Sequence, residues 1–172
     1  MAALNNLTEH LEAFVDVTRS PTHHAESLKA IATSLEKGVL SINQLVVEMD
    51  MYLTTTDDVV RARGILLLAE MLDYLKSKPL DNAVVHSLVG FFTAKLAEWR
   101  SVRGALSGCL ALTKRKGVAG VVTAVDAEAV AKSMAQSIQV QSLALYDRKL
   151  CFELLECLLE QYPEAMINLP GG

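Results

Sequence analysis

Three cysteines and four histidines are the side chains of this sequence best suited to metal binding or nucleophilic chemistry. Cys109, Cys151 and Cys157 each lie inside an apolar helical pattern, and the sequence has no C-x-x-C pair of the kind that binds zinc. Cys151 and Cys157 are six residues apart, which places them near opposite faces of one helix. We interpret all three as small buried hydrophobic residues in a reducing compartment, and we expect no bound metal or cluster.

The histidines and glutamates do not form a catalytic arrangement either. Adjacent histidines point in different directions from a helix, and the glutamates have the spacing of solvated helix surfaces. These surface or capping residues are His10, His23, His24, His86, Glu9, Glu12, Glu153, Glu156 and Glu160. The motifs G-x-x-x-x-G-K, G-x-G-x-x-G, H-E-x-x-H and G-x-S-x-G are absent. The sequence therefore predicts a protein that is not an enzyme, with no catalytic residue, no cofactor-binding residue and no metal ligand.

One motif occurs three times and indicates how the chain is organised. An acidic turn is followed by a basic residue and then by a helix with an apolar face, in DDVVRARGILLLAEML, WRSVRGALSGCLAL and YDRKLCFELLECLL. The aligned residues Arg61, Arg103 and Arg148 are 42 and 45 residues apart. A period of about 40 to 47 residues is typical of HEAT repeats, which are pairs of helices stacked into a solenoid. The prediction is an all-α HEAT-type α-solenoid, a right-handed superhelical stack of antiparallel helix pairs.

Helical periodicity continues along the whole chain, without sustained strand-like alternation. Residues whose side chains can cap a helix mark the expected helix starts, which are Ser20 before Pro21, Ser41 with Gln44, Asp57 or Asp58, Asp81 and a start near Asp126. The stretch from Lys116 to Val125 is expected to be a long loop. We predict about eight helices in four pairs over residues 1–162, the N-terminal HEAT array, and a tail over residues 163–172.

Apolar residues at helical spacing give the predicted buried faces. These residues include Leu4, Leu7, Leu11, Phe14 and Val15 in the first helix, Val60, Leu67, Leu68, Met71 and Leu75 in the fourth, and Val84, Val85, Leu88, Phe92 and Leu96 in the fifth. Val130, Met134 and Ile138 follow, and the last helix contains Leu150, Leu154, Leu155, Leu158 and Leu159. Substitution of Leu68 by Asp is expected to unfold the second unit, because an unpaired buried carboxylate is costly.

Charged and glycine residues at the repeated positions have a structural interpretation. Arg61, Arg103 and Arg148 can each reach the acidic turn of the adjacent unit and so form a ladder along the stack, with about 0–1 kcal/mol per exposed pair. Gly64 and Gly104 lie inside helices, where glycine costs about 1 kcal/mol relative to alanine, so we expect close helix–helix contact there. The basic run from Lys114 to Lys116 is interpreted as a solvated loop.

Trp99 is the single tryptophan of the chain and lies in the predicted turn between two helices. It has two possible roles. It is either an exposed anchor for a partner protein or a packing residue at the turn of a repeat. We favour the packing role.

Composition limits the classes of partner. Hydrophobic residues make up 51% of the 172 residues and aromatic residues only 5%, so aliphatic side chains must form the core. The net charge of −4 argues against direct binding to nucleic acid or to anionic lipid. The sequence shows neither a signal peptide nor a long apolar stretch that could span a membrane. We therefore expect a protein of the cytoplasm and nucleus with protein partners.

The runs Asp57–Leu72, Val84–Leu96 and Ile138–Leu155 together resemble the N-terminal region of the MMS19 family, in particular a plant member. This is the methyl-methanesulfonate-sensitivity nineteen family of large HEAT-repeat proteins, described in cytosolic iron–sulfur assembly, nucleotide excision repair and transcription. The resemblance extends from about Leu28 to Leu159. The matching motifs belong mainly to the repeats, so the resemblance depends on the order and spacing of the three runs.

The resemblance implies a non-catalytic scaffold. Such an adaptor, within a targeting complex, delivers iron–sulfur clusters to apo-proteins that act on DNA, such as helicases, polymerases and glycosylases. Its partners would be assembly factors and these client proteins, and no small-molecule substrate is expected. The alternative from the repeats alone is an unrelated HEAT adaptor of nuclear transport or vesicle coats.

Members of this family are several times longer than this chain. The resemblance therefore implies an N-terminal fragment, a short isoform or a truncated gene product, and the contacts attributed in the family to later repeats would be missing. The leucines of the last helix are spread over more than one stripe. We expect that helix to expose an apolar surface and the chain to self-associate or fray there.

Overall fold

The computed structural model describes residues 2–167, with side chains from residue 6 onward. Within this range the chain is all-α, with two short 3₁₀ helices at Trp99–Ser101 and Val140–Ser142 and no strand. The α-helices are α1 (Ala2–Val15), α2 (Pro21–Glu36), α3 (Ile42–Leu53), α4 (Asp58–Tyr74), α5 (Asn82–Lys95), α6 (Val102–Thr113), α7 (Ala124–Ser137), α8 (Leu145–Gln161) and α9 (Pro163–Ile167). The all-α prediction is confirmed. The described helices number nine rather than eight, because residues 163–167 form α9.

Side chains cap three of the helix starts as the sequence predicts. Ser20 accepts a hydrogen bond from the backbone N–H of His23 at 3.1 Å. Ser41 and Gln44 form a reciprocal capping box, with distances of 2.9 and 3.1 Å. Asp57, rather than the residue after it, accepts from two backbone N–H groups of α4. These bonds satisfy backbone donors that have no partner within the helix.

At one predicted start the capping hydrogen bond is missing, and another start lies at a different residue. Asp81 occupies the position before α5 but makes no capping hydrogen bond. Helix α7 begins at Ala124, two residues before the predicted start, because Thr123 is the cap and accepts from the N–H of Asp126 at 3.1 Å. The Asp126 carboxylate instead contacts Nδ1 of His86 on α5 at 2.9 Å. A residue expected to cap one helix therefore joins two helices.

The helices pack as consecutive pairs. Helices α4, α6 and α8 lie side by side in one layer, and α3, α5 and α7 each pack on the helix that follows them. Helices α1 and α2 pack on each other and on α4, while α9 packs on α7 and α8. This is the arrangement of a HEAT-like α-solenoid, so the predicted fold class is confirmed.

The core follows the predicted apolar faces. Leu67, Leu68 and Met71 of α4 are at most 1% exposed, as are Leu106 of α6 and Leu154 of α8. The residues predicted to be buried that are only half-buried lie near helix ends or at the open side of α8. They are Val60, Val84, Ile138 and Leu155. The prediction for Leu4 lies outside the residues whose side chains are described.

Glycine allows α4 and α6 to approach closely. A Cβ atom on Gly104 would lie 2.9 Å from Cγ2 of Ile65 and 2.9 Å from the backbone nitrogen of Leu66. A Cβ on Gly64 would lie 3.2 Å from Cβ of Tyr52 on α3. Both helical glycines are therefore at helix–helix contacts, as the sequence predicts, and Gly104 leaves no room for a side chain.

Arg115 corrects the prediction of a solvated basic run. Its side chain is 2% exposed, although the lysines on either side are exposed. The guanidinium donates to the carbonyl oxygens of Leu75 at 2.8 Å, Gly120 at 2.6 Å and Ala119 at 2.9 Å, and also to Lys78. Arg115 therefore joins the end of α4, the segment before α5 and the loop before α7. The prediction was wrong because the carbonyls of Lys78 and Gly120 accept no backbone hydrogen bond among the described residues, and Arg115 supplies their donor.

The end of the described chain exposes part of α8. Phe152 and Leu159 are each 54% exposed, whereas Leu154 and Leu158 are fully buried. Leu159 is therefore not part of the buried face, contrary to its helical spacing, whereas the prediction that the last long helix exposes apolar side chains is confirmed. Pro163 comes after the end of α8, as predicted, and is also the first residue of α9.

Candidate protein-interaction grooves

The cysteines are buried, and their environment disfavours the reactive thiolate form. Cys109, Cys151 and Cys157 are free and buried. Burial raises the pKa of Cys109 to about 12. Burial also raises the pKa of Cys151 and of Cys157. A raised pKa lowers the fraction of thiolate, which is the form that binds metals and acts as a nucleophile.

Two of the histidines have structural partners. The Nε2 atom of His24 lies 2.8 Å from the backbone oxygen of Asp16, and its Nδ1 lies 3.1 Å from a terminal nitrogen of Arg63. His86 pairs with Asp126, as described above. In the part of the chain that the structure describes, no three His, Cys, Asp or Glu side chains are grouped to hold a metal ion. No helix there is long and apolar enough to cross a membrane.

A groove of about 580 Å³ lies where α4, α6 and α8 begin. Its lining contains three arginines and one aspartate, so we call it the basic groove. Val59, Leu66 and Val102 contribute apolar surface, and Trp99, Arg100 and Arg103 form part of its rim. The starts of these three helices meet in one place because each follows an antiparallel partner.

Trp99 is 75% exposed at this groove, so the favoured packing role is wrong. The guanidinium group of Arg100 instead lies over the indole ring, with its carbon 4.4 Å from the ring centroid. The Nε of Arg100 lies 2.8 Å from a carboxylate oxygen of Asp58 on α4. An exposed tryptophan with a stacked cation is typical of side chains that dominate binding to a protein partner.

Arg103 of this groove also lies against an aromatic ring. The guanidinium carbon of Arg103 lies 4.8 Å from the ring centroid of Tyr146, and its Nε donates to Asp147 at 2.8 Å. Asp147 is almost fully buried, whereas the side chain of Arg103 is 48% exposed. The ion pair joins α6 to α8 and holds the guanidinium at the surface.

The predicted arginine ladder exists in part. Arg61 lies 3.4 Å from Glu98 in the turn of the next unit, and Arg103 reaches Asp147 as predicted. Arg148 instead donates to two carbonyls of the segment before α8. The third position differs because those carbonyls lie close to its own helix start.

A smaller groove of about 300 Å³ lies further along the same helices. Glu70 and Asp73 of α4 and Glu153 of α8 line it, together with Lys114 and Lys149, and we call it the acidic groove. Burial raises the pKa of Glu70, and the nearby Asp73 raises it further. Among the described side chains, no cation lies within ion-pair distance of Glu70 or Asp73.

Both grooves lie on one face of the α4–α6–α8 layer. Leu66 lines the basic groove and Asp73 the acidic one, seven residues further along α4. The same separation relates Arg103 and Leu110 on α6. Residues seven apart lie on nearly the same side of a helix, about 10 Å apart along its axis. The two grooves therefore form one surface with opposite charge at its two ends.

Sequence reasoning missed these grooves, although it identified several of their residues. The available signal was an aromatic residue next to an arginine in Trp99–Arg100, whereas the arginine that lies against Tyr146 is Arg103 of another repeat. Exposure at those positions depends on the neighbouring unit, which periodicity does not reveal. The arrangement can bind a protein segment, since it combines exposed aromatic rings, fixed guanidinium groups and an apolar floor.

Comparison with known proteins finds one matching family model and two similar proteins. A family model described as Dos2-interacting transcription regulator of RNA-Pol-II matches residues 46–171. A protein of Arabidopsis thaliana, named MMS19 nucleotide excision repair protein homolog, is 64% identical over 169 residues, 98% of this chain and 15% of that protein. A protein of the same name from Dictyostelium discoideum is 20% identical over 163 residues, 92% of this chain and 14% of that protein. The chain spans about 15% of the length of these relatives.

Proposed function

This chain belongs to the MMS19 nucleotide excision repair protein family, and from that premise we propose that it acts as a non-catalytic scaffold. The scaffold serves cytosolic iron–sulfur protein assembly and presents apo-proteins of DNA repair, replication and transcription to the machinery that delivers their clusters. Its partners are assembly factors and apo client proteins, in the cytoplasm and nucleus. Family membership sets aside the alternative of an unrelated HEAT adaptor.

The surface formed by the two grooves is the observation that supports this role best. Trp99 and Tyr146 are 75% and 56% exposed, and each holds an arginine side chain against its ring. Rigid aromatic and arginine side chains supply most of the binding energy at protein interfaces. The surface is therefore suited to bind proteins rather than to transform a small molecule.

The cysteines support a role in which the partners hold the cluster. Iron–sulfur clusters bind to thiolates, whereas burial raises the pKa of all three thiols in this chain. Cys109 lies on α6, and the other two lie on α8. The chain's own contribution is then recognition of the protein that donates or receives the cluster.

Affinity purification of the tagged chain from plant cells, with quantitative identification of partners, tests this function. We expect enrichment of iron–sulfur assembly factors and of apo helicases, polymerases or glycosylases. Trp99→Ala should reduce the binding of a purified apo client about tenfold or more, as expected for an interface anchor. Tyr74→Ala is the matched control, because Tyr74 is an exposed aromatic residue at the other end of α4. Importins or coat proteins as the main partners would contradict the proposal.

A further inference from the structure

We propose that a single helical segment of a partner protein, acidic at one end, aliphatic in the middle and basic at the other, occupies both grooves. Its acidic end lies at Arg100 and Arg103, and its basic end lies at Glu70 and Asp73. The inference rests on the proposed scaffold function and adds to it the chemistry of the recognised segment.

The basic groove suits a carboxylate. Arg100 and Arg103 use their Nε atoms on Asp58 and Asp147, and among the described residues their terminal nitrogens make no hydrogen bond. The aromatic rings beneath them hold the guanidinium groups in place while the side chains stay 45% and 48% exposed. A guanidinium with free terminal donors binds a carboxylate through two parallel hydrogen bonds.

The acidic groove suits a lysine or an arginine. Three carboxylates and two ammonium groups line it, and Glu70 and Asp73 lie together on one side without an ion-pair partner among the described residues. The raised pKa of Glu70 shows that burial and the Asp73 charge disfavour its ionised form. A cation placed between these two carboxylates would relieve that repulsion.

The surface between the two ends is apolar and made of small or half-buried side chains. The half-buried Ala62 and Leu66 follow one another along this face of α4, and the buried Ala69 of α4 and Leu110 of α6 lie beside them. These residues leave room for aliphatic side chains in the middle of the segment. The middle therefore contributes burial, while the two ends fix the direction of the segment.

The distance between the grooves favours a helix over an extended strand. The grooves are about 10 Å apart along α4, which equals seven residues of an α-helix. Residues seven apart on a helix lie on the same side, so one helix can present its acidic and basic residues to both grooves. Three residues of a strand cover a similar length but place their side chains on opposite faces.

Peptide binding followed by fluorescence anisotropy tests the inference. Three peptides of about 20 residues, long enough to form a helix, carry the same leucines on one face. One has glutamates and lysines seven residues apart on that face, the second has only glutamates, and the third has only lysines. We expect the bipolar peptide to bind the chain at least tenfold more tightly than the other two. Equal binding of all three would overturn the inference.

Charge reversal in the chain should change which peptide is preferred. Arg103→Glu should bind the all-lysine peptide best, and Asp73→Lys should bind the all-glutamate peptide best. Arg19→Glu and Asp50→Lys are the matched controls, since both residues are exposed and line neither groove. Thermal melting verifies that each variant is folded. If Arg103→Glu does not fold, Arg103→Gln should still weaken the bipolar peptide at least fivefold, and unchanged binding would overturn the inference.

The outcome is distinguishable from failure of the proposed function. If apo client proteins bind the chain and the charge variants bind them equally well, the scaffold function is supported and the inference of a helical segment across both grooves is overturned. If the bipolar peptide binds with the expected preferences but no iron–sulfur assembly factor or client does, the inference about the helical segment is supported and the proposed function is contradicted.

Discussion

The two ends of helix α6 use arginine in opposite ways. At its start, Arg100 and Arg103 are about half exposed and lie against aromatic rings. Just beyond its end, Arg115 is 2% exposed and donates to four backbone carbonyls. The partners of the terminal nitrogens therefore decide the role of an arginine. An arginine whose three guanidinium nitrogens all donate to the backbone holds the fold together, and one with terminal nitrogens left at the surface is available to a partner.

The largest expected effect is that of Arg115→Ala. This substitution leaves the carbonyls of Lys78 and Gly120 without a donor among the described residues, and it removes one of two donors from those of Leu75 and Ala119. We expect the free energy of unfolding to fall by about 3 kcal/mol or more, measured by urea denaturation. Arg115→Lys should rescue little, because an ammonium group lacks the planar fork that reaches all four oxygens. A loss below about 1 kcal/mol would mean that the two ends of α6 do not differ as described.

A second measurement locates the opening caused by that variant. Cys109 lies near the end of α6, and burial raises its pKa to about 12, so the native thiol should react very slowly with iodoacetamide at pH 8. Arg115→Ala should accelerate alkylation of Cys109 roughly tenfold or more, since local opening exposes the thiol. Mass spectrometry of the labelled chain measures the rate. The same acceleration in Arg103→Ala would show that the opening is not local to the Arg115 end.

Arg103→Ala should have a smaller effect on stability. Its ion pair with Asp147 is half exposed on the arginine side, and such pairs contribute about 0–1 kcal/mol. Because the substitution also leaves the almost fully buried Asp147 carboxylate unpaired, we expect urea denaturation to show a loss of about 1–2 kcal/mol, together with a clear loss of peptide binding. A loss as large as that of Arg115→Ala would place Arg103 among the structural arginines.

The smallest expected effect is that of Glu70→Gln in the acidic groove. Burial, and then Asp73, raise the pKa of Glu70 in the folded chain above its ordinary value of 4.5. The folded state then binds the proton more tightly than the unfolded state, so folding loses stability as the pH rises through the folded pKa. At pH 7 the variant should be more stable than the parent by at most about 0.5 kcal/mol, and this gain should disappear below pH 4.5. A gain that persists in acid would contradict this cause.

Local sequence signals predicted the parts of the fold that local interactions determine. Ser41 and Gln44 are close in sequence, so their capping box is visible in the letters alone. Leu67, Leu68 and Met71 follow the period of one helix, and the spacing of Arg61 from Arg103 shows the repeat.

Partners distant in sequence explain what could not be predicted. Arg115 donates to Leu75, 40 residues earlier. The local sequence around Arg115 therefore does not distinguish a solvated basic run from an arginine buried against distant carbonyls. The exposure of Trp99 likewise depends on how far adjacent units cover the turn. The grooves arise only when three helices from separate repeats lie side by side.

Gly104 has a mechanical consequence for the array. Its missing Cβ lets α6 rest directly on the backbone of α4, so the angle between two successive units is fixed by a backbone contact. Each unit of a solenoid is oriented only by its neighbours. A methyl group at this contact would push α6 away from α4 and change the angle between the two units. A small change of angle here would displace the units after α6 by a distance that grows along the array.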